Sequence, residues 1–176
     1  RLAVRIGVQG KRLDESSRRT CHLTFLVDVS GSMNFYNKLP LAKQALIGLL
    51  DNLRPDDTVS LCTYAGRTQK LLAPTPVSDK TRIVQAIESL GAGGGTAMSS
   101  GIDTAYRLAD SAFVPGDVNR VIVCSDGDAN VGPSTHEEIL KRIKGYADRN
   151  ITLTTLGFGT MNGNYKDEMM ERLADA

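Results

Sequence analysis

Apolar side chains run almost unbroken from His22 to Val29, and the run stops in glycine and short hydroxyl side chains. That pattern predicts a strand buried on both faces, as in the middle of a parallel sheet. Ahead of it, Leu2, Val4, Ile6 and Val8 alternate with polar residues as a half-exposed strand does, and Gly10 to Thr20 is polar enough to be a linker. The spacing of Leu39, Ala42, Leu46, Leu49, Leu50 and Leu53 predicts a helix that ends before Pro55. Pro40 falls in its first turn, where a missing N–H costs little. Thr58 to Tyr64 and Arg67 to Leu72 are strand patterns joined by the tight Ala65-Gly66 turn, so the second should run antiparallel to the first. Ser78 or Asp79 can cap a helix carrying Ile83, Val84, Ile87 and Leu90, which ends in the cluster Gly91 to Gly95. Thr96 leads into a helix containing Ile102, Ala105, Tyr106 and Leu108. Asn119 to Ser125 and Ile151 to Phe158 are further strands. Between them Ser134 and Glu137 form a capping-box pattern before Ile139, Leu140 and Ile143, and Tyr165 to Ala174 forms a last helix.

Strands alternating with helices predict an α/β fold. The expected architecture is a Rossmann-like three-layer sandwich, with a mostly parallel central sheet, one antiparallel edge strand and helices on both faces. Residues 1–20 are expected to be a flanking strand and linker, and 21–176 one domain. The chain starts at Arg1 with no signal-peptide pattern and stops on a helix, so it reads as a fragment or processed chain with a closing strand beyond residue 176.

Composition narrows the functional classes. The chain has 176 residues, enough for one domain with a sizeable core. With 21 basic and 20 acidic residues, nothing predicts bulk attraction to nucleic acid or an anionic membrane. No apolar stretch nears the ~18 residues that span a bilayer. Three cysteines permit at most one disulfide. Cys62 and Cys124 lie inside apolar strand runs, where cysteine packs as a small hydrophobe, and Cys21 precedes another. No CxxC pair or Cys/His cluster argues for zinc. His22 and His136 are the only histidines, which restricts nucleophile–histidine catalysis to few combinations.

Candidate chemistry gathers where strands end. Asp28, Ser30 and Ser32 stand at alternate positions in Phe25-Leu-Val-Asp-Val-Ser-Gly-Ser-Met33. A carboxylate and two hydroxyls at the mouth of a strand suit a hard divalent cation, which prefers oxygen. Thr96 follows the glycine cluster, and Asp126 ends the strand of Val121-Ile-Val-Cys-Ser-Asp-Gly-Asp128. In an open α/β sheet, ligands bind outside the carboxyl ends of the strands. As alternatives, the first three residues could be ordinary strand-end polar groups that cap the next helix. Gly91 to Gly95 lacks the spacing of a phosphate loop. Asp126, Asp128, Asn130 and Glu137 match positions 1, 3, 5 and 12 of a calcium loop, but Val131 stands where that loop needs Gly.

The set Asp28-x-Ser30-x-Ser32, Thr96 and Asp126 resembles the metal-ion-dependent adhesion site of von Willebrand factor type A domains, the domains that also form the ligand-binding inserts of integrins. The resemblance covers the chain from about His22 onward. Lys38-Leu-Pro-Leu-Ala-Lys-Gln44 and Thr155-Leu-Gly-Phe-Gly159 resemble bacterial members, many of them parts of secreted or envelope-anchored proteins, so an extracellular or envelope location is favoured. The resemblance implies a Mg²⁺ or Mn²⁺ site, with Ca²⁺ ranked behind. Asp28, Ser30, Ser32, Thr96 and Asp126 would be the ligands, and a protein partner would supply a Glu or Asp to an open metal position. It implies binding without catalysis. The alternatives are a Mg²⁺-dependent phosphoryl-transfer enzyme using Asp28 or Asp126, and an assembly module of the kind found in chelatase and ATPase complexes.

Overall fold

The computed structural model describes residues 17–95, 98–128, 133–159 and 167–175. The strand expected at residues 2–8 and most of the linker lie outside these residues. Among the described residues five strands form one sheet: β1 (Cys21–Asp28), β2 (Thr58–Tyr64), β3 (Thr68–Pro76), β4 (Val118–Ser125) and β5 (Ile151–Gly157). Their spatial order is β3-β2-β1-β4-β5. β1 pairs in parallel with both β2 and β4, and β4 in parallel with β5. β3 alone runs antiparallel, against β2. This is the expected mixed sheet with one antiparallel edge.

Helices cover both faces: α1 (Leu39–Leu50), α2 (Lys80–Glu88), α3 (Met98–Ser111), α4 (Pro133–Ala147) and α5 (Asp167–Ala174). Alternation along each strand divides the core between them. On one face Phe25, Val27, Val59, Leu61, Ile122 and Cys124 pack with Leu46 and Leu50 of α1 and Ile83 and Ile87 of α2. On the other, Leu26, Cys62, Tyr64, Val121 and Val123 pack with Ile102 and Ala105 of α3, Ile139 and Ile143 of α4, and Met170 and Leu173 of α5. A strand covered on both faces needs apolar residues of both parities, which is why the β1 sequence is continuous.

Several boundaries differ from expectation. α1 ends at Leu50, so Leu53 lies beyond the helix, although it still packs on the core. β3 extends to Pro76 because its antiparallel pairing with β2 continues past Leu72 to Thr58↔Pro76. Asp79 occupies the N-cap position of α2 but makes no side-chain cap bond. α4 begins at Pro133, which places Ser134 within the first turn instead of at the cap. His22 is the second residue of the central strand β1. Its ring nitrogens contact Thr58 Oγ1 at 2.9 Å and Asp117 Oδ2 at 3.1 Å.

The chain leaves β1 toward β2 on one side and returns as β4 on the other. The gap between the carboxyl ends of β1 and β4 is therefore the switch point at which open α/β sheets form crevices. At the opposite pole, Asp57 is fully buried. It accepts from the backbone N–H of Cys21 (2.8 Å) and of Arg54 (2.7 Å) and from the Arg18 guanidinium (2.5 Å). Burial pushes the Asp57 carboxyl up. The Arg18 hydrogen bond and the two N–H donors outweigh it and leave the pKa below the ordinary carboxylate range.

Candidate metal centre

Asp28 is the last residue of β1 and Ser125 the last of β4, so both side chains reach the switch point from neighbouring strands. Asp28 is fully buried. Its Oδ1 accepts the backbone N–H of Ser30 at 2.9 Å, which turns the loop sharply out of the strand. That turn brings Ser30 and Ser32 together: their hydroxyl oxygens lie 3.0 Å apart. Side chains that would diverge in a continued strand thus converge once the loop bends.

The other Asp28 oxygen belongs to a hydroxyl cluster. Ser125 Oγ donates to Oδ2 at 2.8 Å, and Tyr64 Oη lies 3.1 Å from Oδ2 and 2.9 Å from Ser125 Oγ. The backbone N–H of Gly127 donates to Ser125 Oγ at 3.1 Å. Tyr64 arrives here by register, because it pairs with Asp28 across β1 and β2. Burial holds the Tyr64 phenol well above its ordinary pKa, as does the Asp28 charge, so it acts as a neutral donor.

Asp126 follows β4 directly and is also fully buried. Its Oδ1 accepts the backbone N–H of Asp128 at 3.0 Å. Its Oδ2 accepts from Lys38 Nζ at 2.7 Å, and the same ammonium donates to the Ser32 carbonyl at 3.1 Å. Among the described residues no ammonium or guanidinium bonds to Asp28. Burial raises its pKa, the bonds from Ser30 and Ser125 lower it, and the nearby charge of Asp126 raises it again, with a net upward shift.

The glycine cluster is tied to the first loop by main-chain bonds. Gly93 N–H donates to the Val29 carbonyl at 2.7 Å, and Gly31 N–H donates to the Gly94 carbonyl at 3.2 Å. Gly94 has φ of +85°, which favours glycine, and a Cβ there would sit 3.4 Å from the Gly66 nitrogen. Glycine thus permits a close approach of two backbones immediately before residue 96. Thr96 itself lies outside the described residues, as does Asn130 of the calcium-loop pattern.

Four of the five candidate ligands, Asp28, Ser30, Ser32 and Asp126, are therefore joined in one network, Asp28 to Ser30, Ser30 to Ser32, and Ser32 to Asp126 through the Lys38 ammonium. Among the described residues no group of three or more His, Cys, Asp or Glu side chains gathers. The donor set is instead two carboxylates plus hydroxyls, all of it hard oxygen, and fits Mg²⁺ or Mn²⁺ better than a soft ion. Asp28, whose neighbours are neutral donors, is the carboxylate a cation would compensate best. Lys38, Tyr64 and Ser125 were not marked by sequence reasoning. Lys38 carried a signal, since Ser, Thr, Asp or Asn are the residues favoured at the start of a helix.

Comparison with known proteins agrees with this fold. The chain is 35% identical over 175 residues to the uncharacterized protein YfbK of Escherichia coli strain K12, covering 99% of this chain and 30% of that protein. It spans less than two fifths of the length of this and other curated relatives that it matches. A von Willebrand factor type A structure from Catenulispora acidiphila superposes with a TM-score of 0.74 at 22% identity, over 89% of this chain and 37% of the other. Manganese-loaded TRAP protein of Plasmodium vivax superposes with a TM-score of 0.72 at 21% identity, over 90% and 63% of the two chains. The family model described as von Willebrand factor type A domain matches residues 22–176. From the first residues of its central strand onward, the chain belongs to the von Willebrand factor type A domain family.

Proposed function

We propose that this domain binds a divalent cation, Mg²⁺ or Mn²⁺, through Asp28, Ser30, Ser32, Thr96 and Asp126, and uses it to capture an acidic side chain of a protein partner. Family membership supports the coarser part of this reading, a protein-interaction module. The observation that supports the finer part is the meeting of Ser30 and Ser32 hydroxyls, 3.0 Å apart, beside the buried carboxylates of Asp28 and Asp126. The manganese-loaded TRAP neighbour has the same fold. A bound dication would supply a Lewis-acidic position at which a carboxylate completes the coordination shell. Hydroxyl ligands withdraw little of the metal's charge, so an anionic ligand from outside keeps its value. Such a charged, directional anchor at the centre of an interface concentrates binding energy.

Two measurements test the reading. Calorimetric titration with Mn²⁺ should show saturable binding to the wild-type protein and none to Asp28→Ala. Partner capture should depend on the cation and be abolished by a chelator. Capture that survives both the chelator and Asp28→Ala would remove the metal bridge.

Phosphoryl transfer is the less well supported alternative. Both aspartates are fully buried, and each of their oxygens already accepts a hydrogen bond. Turnover of a generic phosphate ester that disappears in Asp28→Ala and Asp126→Ala would reverse that ranking.

A further inference from the structure

Lys38 is placed against every local preference. It occupies the N-cap position of α1, with no side-chain cap bond, where a cation opposes the positive end of the helix dipole. Its side chain is 95% buried, at a cost only a strong partner offsets. The ammonium is nonetheless fully engaged: Asp126 Oδ2 at 2.7 Å, the Ser32 carbonyl at 3.1 Å, and the Phe35 ring with its centroid at 5.5 Å. Two of these partners, Ser32 and Asp126, belong to the candidate ligand set. A neutral residue with an ordinary cap would serve helix and core better. The physical meaning of Lys38 is therefore to be sought at the site.

We propose that Lys38 is a permanent counter-charge to Asp126 that sets the cation-loaded site at one net positive charge and thereby makes it select an anionic outer ligand over a neutral one. The proposal rests on the metal-binding reading above. Asp28 and Asp126 alone would just neutralise a dication, and an incoming carboxylate would then gain less over water than it does at a site with net positive charge. With Lys38 between Asp126 and the Ser32 carbonyl, the protein contributes one net negative charge. The loaded site is then one charge short of neutrality, and an incoming Glu or Asp supplies it. The same positive charge repels the metal, so Lys38 trades metal affinity for partner selectivity.

The test compares wild type with Lys38→Met, which keeps most of the stem and removes the charge, and with Lys38→Arg, which keeps the charge. Mn²⁺ affinity is measured by calorimetry. Acetate and acetamide binding to the Mn²⁺-loaded proteins is followed by water-proton relaxation. Lys38→Met should bind Mn²⁺ roughly tenfold tighter or more, and its preference for acetate over acetamide should fall by a similar factor. Lys38→Arg should stay near wild type in both. If Lys38→Met does not fold, Lys38→Gln carries the same expectations. An unchanged acetate preference in a folded neutral variant that binds Mn²⁺ overturns the Lys38 proposal and leaves the metal reading standing. Absence of Mn²⁺ binding in the wild-type protein overturns both.

Discussion

Gly101 offers a quantitative check on how the site is braced. It lies inside α3, buried against the sheet. A Cβ at this position would sit 2.8 Å from Tyr64 Cβ, 3.1 Å from Tyr64 Cγ and 3.2 Å from Leu26 Cδ1. The first contact is the severe one, because Tyr64 Cβ is fixed to a strand backbone and has no rotamer by which to escape. Helix propensity alone favours alanine over glycine by about 1 kcal/mol. Overpacking of a filled core costs about 1–3 kcal/mol, and this contact belongs at the upper end because neither partner can yield. The expected balance for Gly101→Ala is a destabilisation of about 1–2 kcal/mol, or a fall in Tm of roughly 2–8 °C for a domain of this size. Urea unfolding followed by circular dichroism would measure it. The displacement also falls on Tyr64, whose hydroxyl meets Asp28 and Ser125, so Mn²⁺ affinity should drop in the folded variant. A Gly101→Ala protein as stable as wild type or more so would refute the packing argument, for it would mean that propensity wins.

Other expectations follow from buried groups. Asp57→Ala strips Arg18 and two backbone N–H groups of their acceptor and should cost about 3–5 kcal/mol in denaturant unfolding. The folded-state pKa of Asp57 is lowered, so its stabilisation is present above the ordinary carboxylate pKa and is lost as pH falls through the folded value. Acid titration of stability should therefore be less steep in Asp57→Asn than in wild type. Asp28 has the opposite sign: its raised pKa contributes stability at low pH that is lost as pH rises through the folded value. Metal-free Asp28→Asn should accordingly lose less stability than wild type between acid and neutral pH. Burial pushes the thiols of Cys62 and Cys124 up to about 12, so at neutral pH a thiol reagent should label them only as fast as the protein unfolds. Ile102→Ala removes a fully buried side chain between α3 and the sheet and should cost about 2–5 kcal/mol.

The fold was legible wherever one physical cause dominated. Continuous apolar runs marked β1 and β4 because central parallel strands are covered on both faces. Thr58 and Tyr64 were recovered as the ends of β2, where turn-forming residues flank a run of strand-favouring side chains, Thr, Val and Tyr among them. Helix starts were less legible. Asp79 takes the N-cap position of α2 as expected but makes no side-chain bond there, whereas α4 begins one residue before Ser134, so that residue cannot be the cap. At the site, spacing identified Asp28, Ser30, Ser32 and Asp126 as candidates. It could not show their convergence, which depends on the Ser30 N–H bond to Asp28 bending the loop. Tyr64 and Ser125 were invisible for another reason: their role comes from strand register, a relation between distant segments that no local pattern encodes. Lys38 was missed because a lysine just ahead of a helix ordinarily points into solvent, and its partner Asp126 lies 88 residues away along the chain.

The paired main-chain bonds between Val29–Gly31 and Gly93–Gly94 have a mechanical corollary. They run in opposite directions, so each segment donates one bond to the other and accepts one from it. The two loops are thereby held to each other by main chain alone, whatever side chains they carry. Side-chain substitutions in either loop would therefore leave this tie intact, so long as the backbone path is kept.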